Sequence, residues 1–177
     1  MKLEYTIEEE DYLAYQLFTS SQSARIQKKK TNGHILITSA LALLGLVMIS
    51  VSADKTFGIL YLIFAVVSGI YYPKYFKWRY KKHYLTHIRE SYKQRMGLVV
   101  TLEFLEDTIL AKDKTGESKL SLSEVEVVKE TSQHFFLQFT TGVSVIIPKM
   151  DEEESEALKG RLVEKGITVE DHLNWKW

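Results

Sequence analysis

Polar and apolar residues alternate at the start of the chain and then give way to a longer, helical period. Residues 2–7 alternate with period two, which predicts a short half-buried strand. A helix is expected from about Ile7 to Lys30, because Thr6 and Glu9 have the spacing of a capping box. Three serines weaken the middle of this predicted helix, since serine competes for backbone hydrogen bonds. A strand followed by a helix is therefore predicted here.

Two apolar runs separated by a short polar turn dominate the next part of the chain. His34–Ala53 and Phe57–Tyr72 contain no Asp, Glu, Lys or Arg, and the three residues between them begin at Asp54. The first run has 20 residues. A helix of that length rises about 30 Å, the thickness of a bilayer's hydrocarbon core. The second run has 16 residues and ends before Pro73. We predict a transmembrane helical hairpin over residues 34–73.

Small residues inside the two runs are typical of close helix contact in membranes. The first run contains Ala42 and Gly45, and the second contains Ala65 and Gly69 four positions apart. The short turn makes the two helices antiparallel neighbours. The Ala65–Gly69 pair is also a candidate face for self-association.

A basic helix and then a pattern of period two follow the hairpin. Lys74–Met96 is predicted to continue as a helix out of the membrane and to end at Gly97. Six short strands joined by turns are expected next, at about 98–105, 108–112, 119–122, 125–130, 134–140 and 143–147. Asp151–Lys165 has the charge pattern of a closing helix, acidic at its start and basic later. For the last residues, Trp175 and Trp177, three placements stay open: docked on the sheet, at the membrane interface, or mobile.

These elements predict an α+β membrane protein in which a helical hairpin interrupts a strand-rich module. The predicted segments are an N-terminal strand and helix (1–33), the transmembrane hairpin (34–73), a juxtamembrane basic helix (74–96) and a cytoplasmic antiparallel β-meander closed by a C-terminal helix (97–177).

Basic residues flank the hairpin at both of its ends, whereas its turn carries one Lys offset by one Asp. The positive-inside rule then predicts that both termini lie in the cytoplasm and that the turn lies outside. Such flanking charge can reflect topology alone or the recognition of anionic lipid headgroups. We call the flanking residues the basic cluster and treat them as a candidate headgroup site: Arg25, Lys28, Lys29, Lys30, Lys74, Lys77, Arg79, Lys81 and Lys82.

The composition and the missing motifs exclude several kinds of chemistry. The chain has no Cys, and its 23 basic and 23 acidic residues give no net field that favours nucleic acid. No phosphate-binding loop, nucleophile elbow or paired catalytic carboxylates occur. His83 and His87 have the spacing of two metal ligands on a helix, but Tyr84 stands where a zinc protease needs Glu. We expect no metal, no cofactor and no enzymatic activity.

The layout and two local stretches resemble the YcxB-like family of small bacterial membrane proteins. The resemblance is carried by the N-terminal stretch Tyr5–Tyr12, by the hairpin and by the stretch from Leu120 to Leu162. Within the latter, the matching motifs are Leu122–Val125, Phe136–Phe139 and Val145–Lys149. The resemblance implies a cytoplasmic barrel similar to pleckstrin-homology-like (PH-like) domains, which the strand at residues 2–7 would join. It also implies a bacterial plasma or inner membrane. The family has no established activity or catalytic residues to carry over.

The function expected from the sequence is a membrane-anchored, non-enzymatic binding or scaffold module. It would recognise a protein partner or an anionic lipid headgroup at the membrane surface. The alternative is a regulatory or stress-response membrane component that acts by oligomerisation through the hairpin. The sequence names no specific partner.

Overall fold

The computed structural model describes residues 1–177 and has α+β architecture, with four α-helices and eight strands. The helices are α1 (Glu9–Gln22), α2 (Ala24–Val51), α3 (Thr56–Ser91) and α4 (Glu152–Glu164). The strands are β1 (Lys2–Thr6), β2 (Val99–Phe104), β3 (Thr108–Asp113), β4 (Gly116–Ser121), β5 (Val125–Thr131), β6 (His134–Phe139), β7 (Ser144–Pro148) and β8 (Val169–His172). The chain divides into two compact units, residues 17–84 and residues 1–16 with 85–177.

The strands form two four-stranded sheets, in the orders β1-β2-β3-β4 and β7-β6-β5-β8. β1 pairs antiparallel with β2 and places Leu3 opposite Leu102 and Tyr5 opposite Val100. This pairing confirms that the N-terminal strand joins the sheet that follows the hairpin. All other neighbours are also antiparallel except β5 and β8, which are parallel.

The strands do not close into the expected barrel. β4 and β5 belong to different sheets, because a 3₁₀ turn at Leu122–Glu124 separates them and buries Leu122 in the core. The apolar core is shared by both sheets and by α4, and its most enclosed side chains include Leu102, Phe135, Leu137, Leu158 and Leu162. The β-rich region is therefore a pair of sheets around one core.

The closing helix forms as the sequence predicts. The Asp151 side chain accepts a hydrogen bond from the Glu154 N–H at 2.7 Å and caps the start of α4. At the other end Gly166 has a positive φ of 75° and donates its N–H to the Val163 carbonyl. Leu158 and Leu162 lie one turn apart on the buried face of α4, which holds the helix on the core.

α2 and α3 have 28 and 36 residues, and each is long and apolar enough to cross a membrane. They pack closely through glycines: a Cβ added to Gly45 would lie 2.9 Å from the Gly58 carbonyl oxygen. Ala65 is only 5% exposed, and a Cβ on Gly69 would meet Thr38 of α2 at 3.8 Å. Gly45 and Gly69 thus lie at the contact between the two helices of the same chain, and Ala65 is buried one turn before Gly69.

Pro73 lies inside α3 instead of ending it, and the helix runs on to Ser91, short of Gly97. Proline has no N–H, so the carbonyl of Gly69, one turn earlier, loses its helical partner. The His34 Nε2 atom lies 3.0 Å from this Gly69 oxygen and must be the donor, because a carbonyl only accepts. The neighbouring helix therefore supplies the missing hydrogen bond, which is how membrane helices tolerate an internal proline.

Two local expectations at the N-terminus are corrected. The predicted helix breaks at Ser23, whose side chain caps α2 by accepting from the Ile26 N–H at 3.4 Å. The capping box does not form as expected: the Glu9 carboxylate accepts two hydrogen bonds from Arg89, at 2.7 and 2.8 Å. The start of α1 instead uses Asp11, whose Oδ2 accepts from the Glu8 N–H at 2.7 Å.

The tail contains a strand that the sequence pattern does not indicate. β8 pairs in parallel with β5, Val128 opposite Val169, and extends the second sheet. Trp175 and Trp177 are half-buried after it. The pairing of β8 places residues 169–172 on the sheet, and the placement of the two tryptophans stays a prediction.

Candidate functional site

The nine residues of the basic cluster gather at one end of the α2–α3 hairpin. The two helices are antiparallel, and a Cβ on Gly33 would lie 2.2 Å from the Tyr72 hydroxyl. The segment before Gly33, which holds the four basic residues of α2, therefore runs beside the segment after Tyr72, which holds the five of α3. Two groups that are more than forty residues apart in sequence form one basic surface.

The side chains of this surface are open to solvent, with Lys30 half-buried and the other eight exposed. Aromatic rings lie among them: the Lys74 Nζ is 5.9 Å from the centroid of the Tyr71 ring, and the Lys82 Nζ is 5.5 Å from that of Trp78. Long basic side chains mixed with amphipathic aromatic residues are the chemistry of a membrane–water interface.

Charge is strongly segregated between the two compact units. Residues 17–84 contain ten basic residues and one acidic residue, Asp54, a formal charge of +9. The other unit contains 13 basic and 22 acidic residues, a formal charge of −9, so the net charge of zero conceals two large opposite charges. The positive charge of the hairpin unit has no acidic residue near it in sequence, since none occurs from Tyr12 to Ala53 or from Lys55 to Arg89.

The unit formed by residues 1–16 and 85–177 contains a buried carboxylate held by two lysines. Glu130 is 3% exposed, and its carboxylate oxygens lie 2.5 Å from Lys149 Nζ and 2.8 Å from Lys159 Nζ. Burial alone would raise the pKa of Glu130, but the hydrogen bonds and charges of the two lysines outweigh it and hold the pKa below its ordinary value. The three side chains tie β5 to the end of β7 and to α4.

A second polar pair joins α1 to the second sheet. The His134 Nε2 atom lies 2.8 Å from Asp11 Oδ1, and the His134 ring stacks on Phe136 with centroids 5.4 Å apart. Burial opposes the ionisation of Asp11, yet the hydrogen bonds from His134 and from the Glu8 N–H leave its pKa below the ordinary value. Together with Glu9, which pairs with Arg89, Asp11 shows that the acidic start of α1 has specific partners.

The same unit has a cleft of about 340 Å³ lined by four tyrosines and by two residues of opposite charge. We call it the tyrosine cleft and define it by Tyr5, Tyr12, Tyr15, Tyr92, Arg95 and Asp113. It lies on the face of the first sheet that carries Val100 and Ala111, beside β7. Because Ala111 is small, this end of the sheet face leaves space that larger side chains fill elsewhere in the core.

The tyrosines of the cleft differ in how their hydroxyls are used. The Tyr5 hydroxyl donates to the Ile146 carbonyl at 2.9 Å, and the Tyr15 hydroxyl donates to Ser144 Oγ at 2.8 Å. The Tyr12 and Tyr92 rings lie against each other, with centroids 4.7 Å apart and planes tilted by 30°. Neither of these two hydroxyls is hydrogen-bonded to another protein group, so both remain able to contact a ligand.

The candidate metal ligands do not assemble into a site. No group of three or more His, Asp or Glu side chains lies close enough to hold a metal ion. The His87 Nδ1 atom lies 3.3 Å from Ser91 Oγ, and the His83 ring lies beside Tyr84 with centroids 5.5 Å apart.

Comparison with protein-family models identifies part of the chain. Residues 104–160 match the model described as YcxB-like protein. The match begins in β2 and ends within α4, so the resemblance inferred from the sequence is confirmed for this YcxB-like region. No curated protein and no solved structure matches the chain significantly.

The YcxB-like region contains Glu130, His134 and Asp113, whereas the basic cluster lies outside it. Sequence reasoning found the basic cluster because its residues are contiguous blocks beside apolar runs. It missed the Glu130 group, which is Glu130 with Lys149 and Lys159, although Glu130 and Thr131 end a valine-rich strand. It also missed the tyrosine cleft, although the four tyrosines lie in or near α1 and just after α3.

Proposed function

We propose that the protein is a membrane-anchored, non-enzymatic module of a bacterial cell membrane whose basic cluster binds anionic lipid headgroups. The observation that carries the proposal is the charge of the hairpin unit, +9 with its only acidic residue in the turn at the far end from the cluster. A basic residue beside an anionic leaflet contributes about 1 kcal/mol. Nine such residues on one surface give an attraction that is strong at low salt and weakened by screening.

The strand pairing supports the proposed topology. β1 precedes the hairpin and β2 follows it, and the two strands pair over their whole length. If α2 and α3 cross the membrane, both ends of the hairpin must then lie on one side of it. The basic cluster is adjacent to these ends, so the positive-inside rule assigns that side to the cytoplasm.

The same proposal assigns the β-rich unit the role of a cytoplasmic binding domain of PH-like type. Two sheets and a helix near the C-terminus that share one core support this part of the proposal. The oligomerisation alternative loses its main candidate surface, because Ala65 and Gly69 face α2 within one chain. Headgroup binding is therefore the function that the geometry supports best.

Binding of a fluorescent short-chain phosphatidylglycerol to the full chain in dodecylmaltoside micelles tests the proposal. Four exposed cluster residues are replaced in one variant, K28Q/K29Q/K74Q/K81Q, and four exposed lysines of the other unit in a matched control, K112Q/K114Q/K119Q/K176Q. We expect the first variant to bind at least about tenfold more weakly and the control to bind like the unmodified chain. Equal binding of phosphatidylglycerol and phosphatidylcholine, or equal losses in both variants, would contradict the proposal.

A reporter fused after Trp177 tests the topology separately. We expect a cytoplasmic signal, and an external signal would overturn the orientation. Chemical crosslinking in native membranes tests self-association: a dimer crosslinked through residues of the Ala65–Gly69 face would favour the oligomerisation alternative.

A further inference from the structure

We propose that the tyrosine cleft binds a small zwitterion with an aromatic or bulky apolar body, the chemical class of an aromatic α-amino acid. This site lies within the unit formed by residues 1–16 and 85–177 and uses none of the basic cluster. The inference therefore goes beyond the proposed headgroup binding and does not depend on it.

The size and lining of the cleft fit a ligand of this class. Its volume of about 340 Å³ lies at the lower end of the range of small-molecule sites, roughly 300–1,000 Å³. Apolar side chains of β2 and β3 line it together with Tyr12, Tyr15 and Tyr92. An aromatic lining favours a planar ring, which can stack on the tyrosine rings or meet them edge to face.

Arg95 and Asp113 provide opposite charges in the same cleft without pairing to each other. No ion pair within 4.0 Å joins them. The pKa of Asp113 is lowered mainly by hydrogen bonds from Thr115 and Gly116, and the nearby Arg95 charge lowers it further. The Arg95 guanidinium makes no hydrogen bond within the chain and is exposed. A carboxylate placed at Arg95 would gain a planar, charge-assisted contact.

The Asp113 carboxylate is held in place by hydrogen bonds to only one of its two oxygens. Its Oδ1 atom accepts hydrogen bonds from the Thr115 N–H, the Thr115 hydroxyl and the Gly116 N–H, at 2.7, 2.5 and 3.0 Å. Its Oδ2 atom accepts none. The turn therefore orients a carboxylate whose second oxygen is available to an ammonium group, while Arg95 is available to a carboxylate.

A ligand with only one charge would satisfy only one of these two groups. An anion at Arg95 would leave Asp113 nearby as a repulsive charge, and a cation at Asp113 would face Arg95. A zwitterion matches both. Arg95 also borders two further depressions, of about 290 and 760 Å³, so its end of the cleft is accessible from solvent.

Isothermal titration of the full chain in nanodiscs of uncharged lipid tests this proposal, with empty nanodiscs as the blank. The probes are L-phenylalanine, 3-phenylpropionate, which lacks the ammonium group, phenethylamine, which lacks the carboxylate, and glycine, which lacks the ring. We expect L-phenylalanine to bind about tenfold or more tightly than each of the others, because each loses one set of contacts. Equal binding of L-phenylalanine and 3-phenylpropionate, or no binding of any probe, would overturn the proposal.

Two conservative variants test which ligand group each of the two charged residues binds. Arg95→Gln should weaken L-phenylalanine binding about tenfold, whereas phenethylamine should bind at least as tightly as before, because a like charge has been removed. Asp113→Asn keeps an Oδ1 acceptor for the turn and should also weaken L-phenylalanine binding, whereas 3-phenylpropionate should bind at least as tightly as before, because the repulsive carboxylate has been removed. Thermal unfolding of each variant by circular dichroism checks that the sheets are intact. If both variants bind L-phenylalanine as the unmodified chain does, the assigned roles are wrong.

Discussion

The hydrogen bond from His34 to the Gly69 carbonyl gives the sharpest quantitative prediction. This carbonyl lacks a helical donor only because Pro73 follows four residues later. His34→Phe removes the donor but retains a ring beside Tyr72, on which the His34 ring stacks with centroids 5.3 Å apart. Pro73→Ala restores a backbone N–H to the Gly69 oxygen and makes the histidine dispensable.

The expected magnitude follows from the environment of the bond. A neutral hydrogen bond contributes about 1 kcal/mol net in proteins, and bonds between membrane helices average about 0.6 and reach about 1.7 kcal/mol. We therefore expect His34→Phe to lower the free energy of unfolding by about 1 kcal/mol when Pro73 is present. In the Pro73→Ala background the same substitution should cost close to nothing.

Reversible unfolding of the full chain in bicelles, driven by dodecyl sulfate and followed by far-ultraviolet circular dichroism, measures all four members of this double-mutant cycle. The coupling energy is the difference between the two costs of His34→Phe, and we expect about 1 kcal/mol. Costs that agree within about 0.3 kcal/mol in both backgrounds would show that His34 does not replace the bond lost at Pro73.

Three further predictions concern the buried charges and the glycines. Glu130→Gln should destabilise the β-rich unit by about 3 kcal/mol in urea unfolding, because it leaves two lysines without their carboxylate. The folded pKa values of Glu130 and Asp11 are lowered, so their stabilisation is complete above the ordinary value of 4.5 for Glu and 3.8 for Asp. It is lost as the pH falls through the lower folded values, and E130Q should flatten this acid-side loss. Gly45→Ala should destabilise the hairpin by about 1–3 kcal/mol, since its Cβ would lie 2.9 Å from a carbonyl oxygen. Gly160→Ala in α4 is the matched control: its Cβ meets nothing within 4 Å, and we expect a gain of about 0.5–1 kcal/mol by thermal unfolding.

Local patterns predicted most elements of the fold, and the exceptions depend on distant residues. The six strands after the hairpin and the closing helix lie close to their predicted positions, because alternation, turn residues and caps are local signals. β8 was not predicted: Val169–His172 is mostly polar and becomes a strand because β5 offers it an edge. The predicted barrel is not confirmed: the Leu122 turn sends the chain from one sheet to the other, and the two sheets do not close.

The candidate sites also divide into those with a local sequence signal and those that depend on contacts between distant residues. The basic cluster could be predicted because it consists of consecutive residues beside apolar runs. The Glu130 group could not, since its lysines lie 19 and 29 residues further along the chain and meet the carboxylate only after β7 and α4 have packed. The continuity of α3 through Pro73 was also hidden, because the compensating donor His34 belongs to another helix.

The pairing of β1 with β2 has a consequence for the order of events during synthesis. β1 leaves the ribosome before the hairpin, yet its partner strand ends at Phe104, 98 residues after Thr6. At about 5–20 residues per second, the first strand waits roughly 5–20 s with its backbone N–H and C=O groups unpaired. The apolar hairpin is completed in the interval, before either sheet can form. If the hairpin spans a membrane as we propose, it has time to insert before β1 and β2 pair, and a hairpin inserted in the wrong orientation would carry both strands to the wrong side together.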